Sequence, residues 1–232
     1  FMLRYLNPRT KVWDGPTAAY TPRSDDLPWG MVPEKKITPE DVKYALSSHY
    51  QGTPYDPYDT HGDPAPRGAY RAIGINRNDF MALLQLRPQV PDEFCAVEWL
   101  AFASNAFNAM APFYANVSTT PAYLSRTTQA VSTESFYWVS RLIAALADAA
   151  YGKAVSHIER YQLAVHARGH ELIGRYDELL SQESDIAKRA ALREKANQDV
   201  ADMVQREAAD TLGKVLNEQS NHMKNAFSRS DA

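Results

Sequence analysis

The chain has 232 residues, 44% of them apolar, with a formal net charge of −3 and a pI near 6.1. That is apolar material enough for one substantial core, and the charge balance points to neither nucleic acid nor an anionic membrane as a partner. The single cysteine, Cys95, rules out a disulfide framework within the chain, and no run approaches 18 apolar residues, so neither a membrane span nor a signal peptide is read here.

All 14 prolines lie at or before Pro121, and the stretch from Ala122 onward, rich in Ala, Glu, Lys, Leu and Gln, reads as helical. This divides the chain into a loop- and strand-rich part, residues 1–130, and a helical region, residues 131–232. The opening Phe1-Met2-Leu3 is not read as a natural start. Residues 1–36 form an extended segment, with Phe1 to Tyr5 as a strand fragment. Trp13, Tyr20 and Trp29 follow among Pro16, Pro22, Pro28 and Pro33. Thr38-Pro39-Glu40-Asp41 starts a helix running to about Ser48: Thr38 caps, Pro39 suits the first position, and Asp41 completes a capping box. Val42, Ala45 and Leu46 should face inward.

Gln51 to Gly68, dense in Pro, Gly and Asp, must be loop. Tyr70–Ile75 and Met81–Leu86 read as two strands joined by the hairpin-like Asn76-Arg77-Asn78-Asp79. Ala96–Ala103 is a third strand. Ser104–Tyr123 is irregular or holds a short helix near Phe107–Met110. Helical spacing then appears over Ser135–Tyr151. It continues over Lys153–Arg168 and His170–Leu180, which Gly169 and Gly174 leave as one helix or two, and over Ser184 to about Asn217.

Several familiar chemistries are unsupported. His166 and His170 share a helical face, but the zinc-protease signature is missing and an ordinary surface pair is the better reading. Cys95 precedes an apolar strand and reads as core packing. No nucleophile elbow, dinucleotide-binding glycine motif or phosphate-binding loop is present. No metal or cofactor is expected.

Two stretches carry more polar detail than packing requires. Ser48-His49-Tyr50-Gln51-Gly52-Thr53-Pro54-Tyr55-Asp56 places a titratable His and hydroxyls at a helix C-terminus. It reads either as a substrate loop or as a C-cap in which Gly52 ends the helix and Pro54 stops its resumption. Arg71-Ala72-Ile73-Gly74-Ile75-Asn76-Arg77-Asn78 flanks a short apolar run with two arginines. An arginine there could clamp a carboxylate, and Asn76 could donate to an oxyanion; an exposed hairpin end explains the residues equally.

The runs ITPEDVKYALSSHYQGTPYDPY, RAIGINRN, LLQLRPQVP, VEWLAFASNAFNAMAPFYANVSTTPAYL and FYWVSRLIAAL, in this order over roughly Ile37 to Tyr151, resemble the dipeptidase A family of lactic-acid bacteria. The resemblance implies an N-terminal-nucleophile (Ntn) hydrolase related to penicillin V acylase and acid ceramidase. The fold class it implies is α+β: the C-terminal part of an αββα sandwich with a helix-rich C-terminal region. The activity implied is hydrolysis of dipeptides of broad specificity. It uses a cysteine that becomes N-terminal on processing and whose own α-amino group is the base.

This sequence departs from the family in that Cys95 is internal and does not match the nucleophile motif, so the nucleophile-bearing part is not in this chain and the chain alone should be inactive. The resemblance assigns it supporting roles. Arg71, then Arg77, is the candidate to stand near the thiol or to bind a dipeptide carboxylate. His49, Tyr50, Gly52, Thr53 and Asn76 are the candidates for the substrate rim. Asn105, Asn108 and Tyr114 lie in a matching segment that packing explains as well. The partners implied are a dipeptide, the N-terminal part of the same enzyme and further copies in a homo-oligomer; the compartment implied is the cytoplasm. Two alternatives stay open, an amidase of the same superfamily acting on N-acyl amides and a non-catalytic helical assembly module.

Overall fold

The computed structural model describes residues 1–21 and 23–223; Pro22 and residues 224–232, the end of the expected helical region, lie outside it. The chain divides into two compact units, Phe1–Ile73 and a second that begins at Gly74. The helices after residue 131 share the second unit with the sheet.

In the first unit α1 (Met2–Leu6) stands where a strand fragment was expected. Phe1 and Tyr5, one turn apart, stack with ring centroids 6.2 Å apart, a contact that an alternating strand would not make. The helix α2 (Pro39–Ser47) starts as expected. Thr38 Oγ1 accepts from Asp41 N–H at 3.2 Å, and Asp41 Oδ2 accepts from Thr38 N–H at 3.0 Å. Its inward face is not the expected one. Ala45 is buried, but Val42 and Leu46 are only partly so, and Asp41 and Lys43 are buried instead. Burying Asp41 is tolerable because Tyr5 Oη and Lys35 Nζ each donate to it at 2.8 Å. No strand forms at Tyr70–Ile75, which has no ladder partner among the described residues.

The second unit holds an antiparallel sheet in the order β1 (Phe80–Leu86), β2 (Ala96–Phe102) and β3 (Ala111–Tyr114). The expected hairpin at 76–79 is absent. Asn78 N–H bonds Ile75 carbonyl in a turn that leads into β1, and the true hairpin link is 87–95, closed by Arg87 N–H to the Cys95 carbonyl at 3.0 Å. Residues 104–110 are irregular, the first of the two expectations, with no helix near Phe107–Met110, and the strand β3 follows them. Four helices follow: α3 (Ala122–Ser125), α4 (Phe136–Ala149), α5 (Tyr151–Gln182) and α6 (Ile186–Ser220). The α5 helix runs unbroken through Gly169 and Gly174. Gly169 is there for contact: a Cβ at that point would stand 2.6 Å from Cδ of Pro112 in β3.

Met81, Val97, Trp99 and Ala101 share the helix-covered face of the sheet and are fully buried. Trp99 lies against the rings of His166 and His170 on α5, and its Nε1 donates to Gln85 at 2.9 Å. Arg87 ties the sheet to α5 through a two-pronged pair with Asp177, at 2.5 and 3.0 Å, and Tyr114 Oη donates to the same carboxylate at 2.8 Å. On the other face Phe80, Leu84 and Leu86 remain 53, 74 and 75% exposed. The architecture is therefore α+β: a small antiparallel sheet packed with helices, with that face left open along β1. No helix among the described residues is long and apolar enough to cross a membrane.

Candidate functional site

In the first unit the chain leaves α2 through Ser48, which is extended at φ −61°, ψ 127°. Ser48 is fully buried and its hydroxyl accepts the Tyr50 N–H at 3.2 Å. Tyr50 then adopts φ +66°, a left-handed conformation that a tyrosine holds only at a cost. Its carbonyl accepts both from Thr53 N–H, at 3.1 Å, and from Thr53 Oγ1, at 2.7 Å. Gly52, at φ +72°, supplies the second left-handed step that closes this turn.

His49 is buried, with Nδ1 2.9 Å from Asp56 Oδ1 and its ring edge-on to Tyr58 at 5.2 Å. Asp56 Oδ1 also accepts the Tyr58 N–H at 2.9 Å. This pair fixes the orientation of the imidazole, as an acid beside a working histidine does. Tyr50 Oη donates to the Arg71 carbonyl at 2.9 Å, and burial raises the pKa of its phenol. The structure thus gathers five of the sequence candidates, His49, Tyr50, Gly52, Thr53 and Arg71, on one loop system. The Arg71 guanidinium is exposed and has no ion-pair partner among the described residues.

Asn76 and Arg77 belong to the second unit. Both are exposed; the Asn76 carbonyl accepts from Arg141 at 3.4 Å. A second non-glycine left-handed residue, Ala103 at φ +63°, opens the loop after β2. Ala103, Ser104, Asn105, Phe107, Asn108, Ala109 and Met110 are all buried, which is unusual for a loop. Asn108 Nδ2 donates to the Phe102 and Ala103 carbonyls, each at 2.9 Å, and Gln162 Nε2 serves the Ala106 and Asn108 carbonyls. Asn108 and Tyr114 are therefore structural ties. Ser104 Oγ is buried without a hydrogen-bond partner among the described residues.

Sequence reasoning missed Lys43. It is buried, donates to Ser47 Oγ at 2.8 Å, and burial pushes its pKa down to about 7. Nothing local marks it, since lysine on a short helix ordinarily faces water. It also missed the His49–Asp56 pairing, whose signal was the Gly52 and Pro54 turn between the two. Among the described residues no three His, Cys, Asp or Glu side chains gather as a metal set. A groove of about 340 Å³ between α5 and α6 is lined by Arg168, Arg175 and Arg206 against Glu171, Asp199 and Asp202. Much of its charge is answered internally, by pairs such as Arg175 with Asp199 and Arg168 with Glu207.

Residues 1–164 match the family described as Peptidase family C69. The chain belongs to Peptidase family C69. Among curated relatives, a dipeptidase of Bifidobacterium longum is 42% identical over all of this chain and 50% of its own length. A probable dipeptidase A of Streptococcus pyogenes is 42% identical over 98% of this chain and 49% of its own. Dipeptidase A of Lactobacillus helveticus is 37% identical over 92% and 45%. The chain spans about half the length of the curated relatives it matches. The C69 match takes in the His49–Asp56 loop, Arg71, the whole sheet and the first part of α5.

Proposed function

We propose that this C69 chain is the C-terminal portion of a cysteine-type dipeptidase whose N-terminal nucleophile lies outside it. The observation that carries this reading is the family match together with relatives named as dipeptidases, of which this chain spans about half. A sheet packed with helices, whose β1 leaves Phe80, Leu84 and Leu86 exposed, supports the αββα reading, in which a second sheet packs on those side chains.

In the proposed reaction the α-amino group of the terminal cysteine takes the thiol proton. The thiolate attacks the peptide carbonyl, the amine leaves with a proton, and water releases the acyl group. The exposed guanidinium of Arg71 would receive the dipeptide carboxylate or hold the thiolate, with Arg77 as the second candidate. The fixed loop His49–Thr53 would form part of the substrate rim, and Asn76 would offer an amide donor to an oxyanion. No metal takes part. A reducing cytoplasm suits a thiol nucleophile and the single Cys95.

The test supplies this chain with the complementary part of the Bifidobacterium longum dipeptidase. Dipeptide hydrolysis should appear with both parts and be absent from this chain alone, and thiol alkylation should abolish it. Arg71→Ala should raise KM for dipeptides about ten-fold or more with kcat less affected, the expected loss for one bidentate charged contact. Hydrolysis by the isolated chain, or turnover of N-acyl amides in preference to dipeptides, would defeat the reading.

A further inference from the structure

The two edges of the sheet are built differently. On the outer edge of β3, Pro112 has no N–H to offer. Tyr114 has both of its outward groups taken: Asn197 Oδ1 accepts its N–H at 2.8 Å, and Asn197 Nδ2 donates to its carbonyl at 3.0 Å. Asn197 is buried. One side-chain amide on α6 thus stands in for the next strand, and Pro112 is itself pressed against Gly169. No strand can be added there.

The outer edge of β1 carries no such closure. The ladder with β2 is bracketed by Ala103 N–H to the Asp79 carbonyl and Arg87 N–H to the Cys95 carbonyl. With the register Phe80↔Phe102 to Leu86↔Ala96, antiparallel alternation directs the backbone groups of Phe80, Ala82, Leu84 and Leu86 away from β2. Among the described residues no backbone bond reaches them. The same four residues place their side chains on the exposed face, and β1 contains no proline, lysine or bulge to blunt it. A seven-residue edge that is open and apolar is an aggregation hazard unless it is covered.

We infer that β1 is an internal strand of the assembled enzyme, and that its free edge pairs with an extended apolar segment from the part of the relatives' length that this chain does not span. This rests on the two-part dipeptidase reading and adds to it the attachment point and its mode: main-chain strand addition at β1, not at β3. The relatives' length supplies the occupant, since about half of it is unaccounted for by this chain. The closure of β3 supplies the direction, since the sheet can grow only one way.

Amide hydrogen exchange on this chain, alone and co-expressed with the complementary part of the Bifidobacterium longum dipeptidase, tests this. Alone, the outward amides of Phe80, Ala82, Leu84 and Leu86 should exchange quickly while those of Met81, Leu83 and Gln85 are protected. In the complex the outward set should slow by 100-fold or more. A variant adds an independent arm: Leu84→Pro deletes an outward N–H and no β2 ladder bond. It should leave the fold of the isolated chain intact by circular dichroism and abolish assembly. An active complex with those four amides still fast would overturn the strand addition while the dipeptidase reading stands. Protection that rises with concentration of this chain alone would overturn it in favour of a second copy. Failure of the two parts to give any peptidase would remove the reading on which it rests.

Discussion

Gly169 lies well inside α5, where alanine would ordinarily be the better helix residue by about 1 kcal/mol. Here the contact decides: the added Cβ would stand 2.6 Å from Pro112 Cδ, and neither a helix backbone nor a proline ring in a strand yields easily. Gly169→Ala should therefore destabilise by about 1–3 kcal/mol, read as a lowered urea midpoint; an unchanged or raised midpoint would refute the contact. Tyr161 presents the opposite case. Its hydroxyl is buried without a hydrogen-bond partner among the described residues, and burial, then nearby Tyr123, raise its pKa. Tyr161→Phe removes an unsatisfied group at constant shape, so stability should hold or rise. Lys43 gives a pH signature. Burial holds its folded pKa near 7 while the unfolded value is that of an ordinary lysine, so between those values the unfolded chain carries the extra proton. Stability should rise from pH 7 towards pH 10, with a slope approaching about 1.4 kcal/mol per pH unit. Lys43→Met should flatten that slope in urea titrations at pH 6 to 9.

At the scale of elements, Asn197 replaces a missing strand for β3. Asn197→Leu would keep the volume and strip both partners from Tyr114, at about 1–3 kcal/mol for each group left dry. The amide of Tyr114 should then lose its exchange protection selectively. These devices mark where sequence reading succeeds. The start of α2 was legible because Thr38, Pro39 and Asp41 act on each other within one turn. The strands β1 and β2 were legible from apolar runs bounded by Pro88 and Pro91. The strand β3 was not, because four residues containing a proline carry no strand signal; Pro112 is tolerated only because it is on an edge. The α5 stretch read as one helix or two, because glycine counts as a breaker until its neighbour is known. In the candidate site, the loop His49–Thr53 was visible from its local chemistry. The partner of His49 stands only seven residues on, across the Gly52 and Pro54 turn, whereas the burial of Lys43 depends on contacts that no short window contains.

For the whole molecule, alkaline pH provides the reading. Tyr5 has its pKa pushed up to about 12 by burial and by its hydrogen bond to Asp41; burial raises Tyr114, Tyr123 and Tyr161 well above the ordinary phenol range. A group whose folded pKa is raised keeps its stabilisation below the unfolded value, near 10, and loses it as pH climbs through the folded one. Stability should thus pass through a maximum close to pH 10 and fall steeply beyond it, with tyrosinate absorbance at 295 nm rising together with loss of helix. Tyrosinate that forms before the helix signal changes would show these phenols to be accessible in the folded state.

The amide that closes β3 has a further consequence, in the order of synthesis. Tyr114 leaves the ribosome 83 residues before Asn197 does. At about 5–20 residues per second, the nascent sheet waits roughly 4–17 s for its cap. During that interval the outward N–H and carbonyl of Tyr114 have no partner, and both edges of the sheet are open at once. A ribosome-bound chaperone that favours apolar extended segments would find its target in that interval, and stalling translation shortly before Asn197 should give the greatest chaperone occupancy.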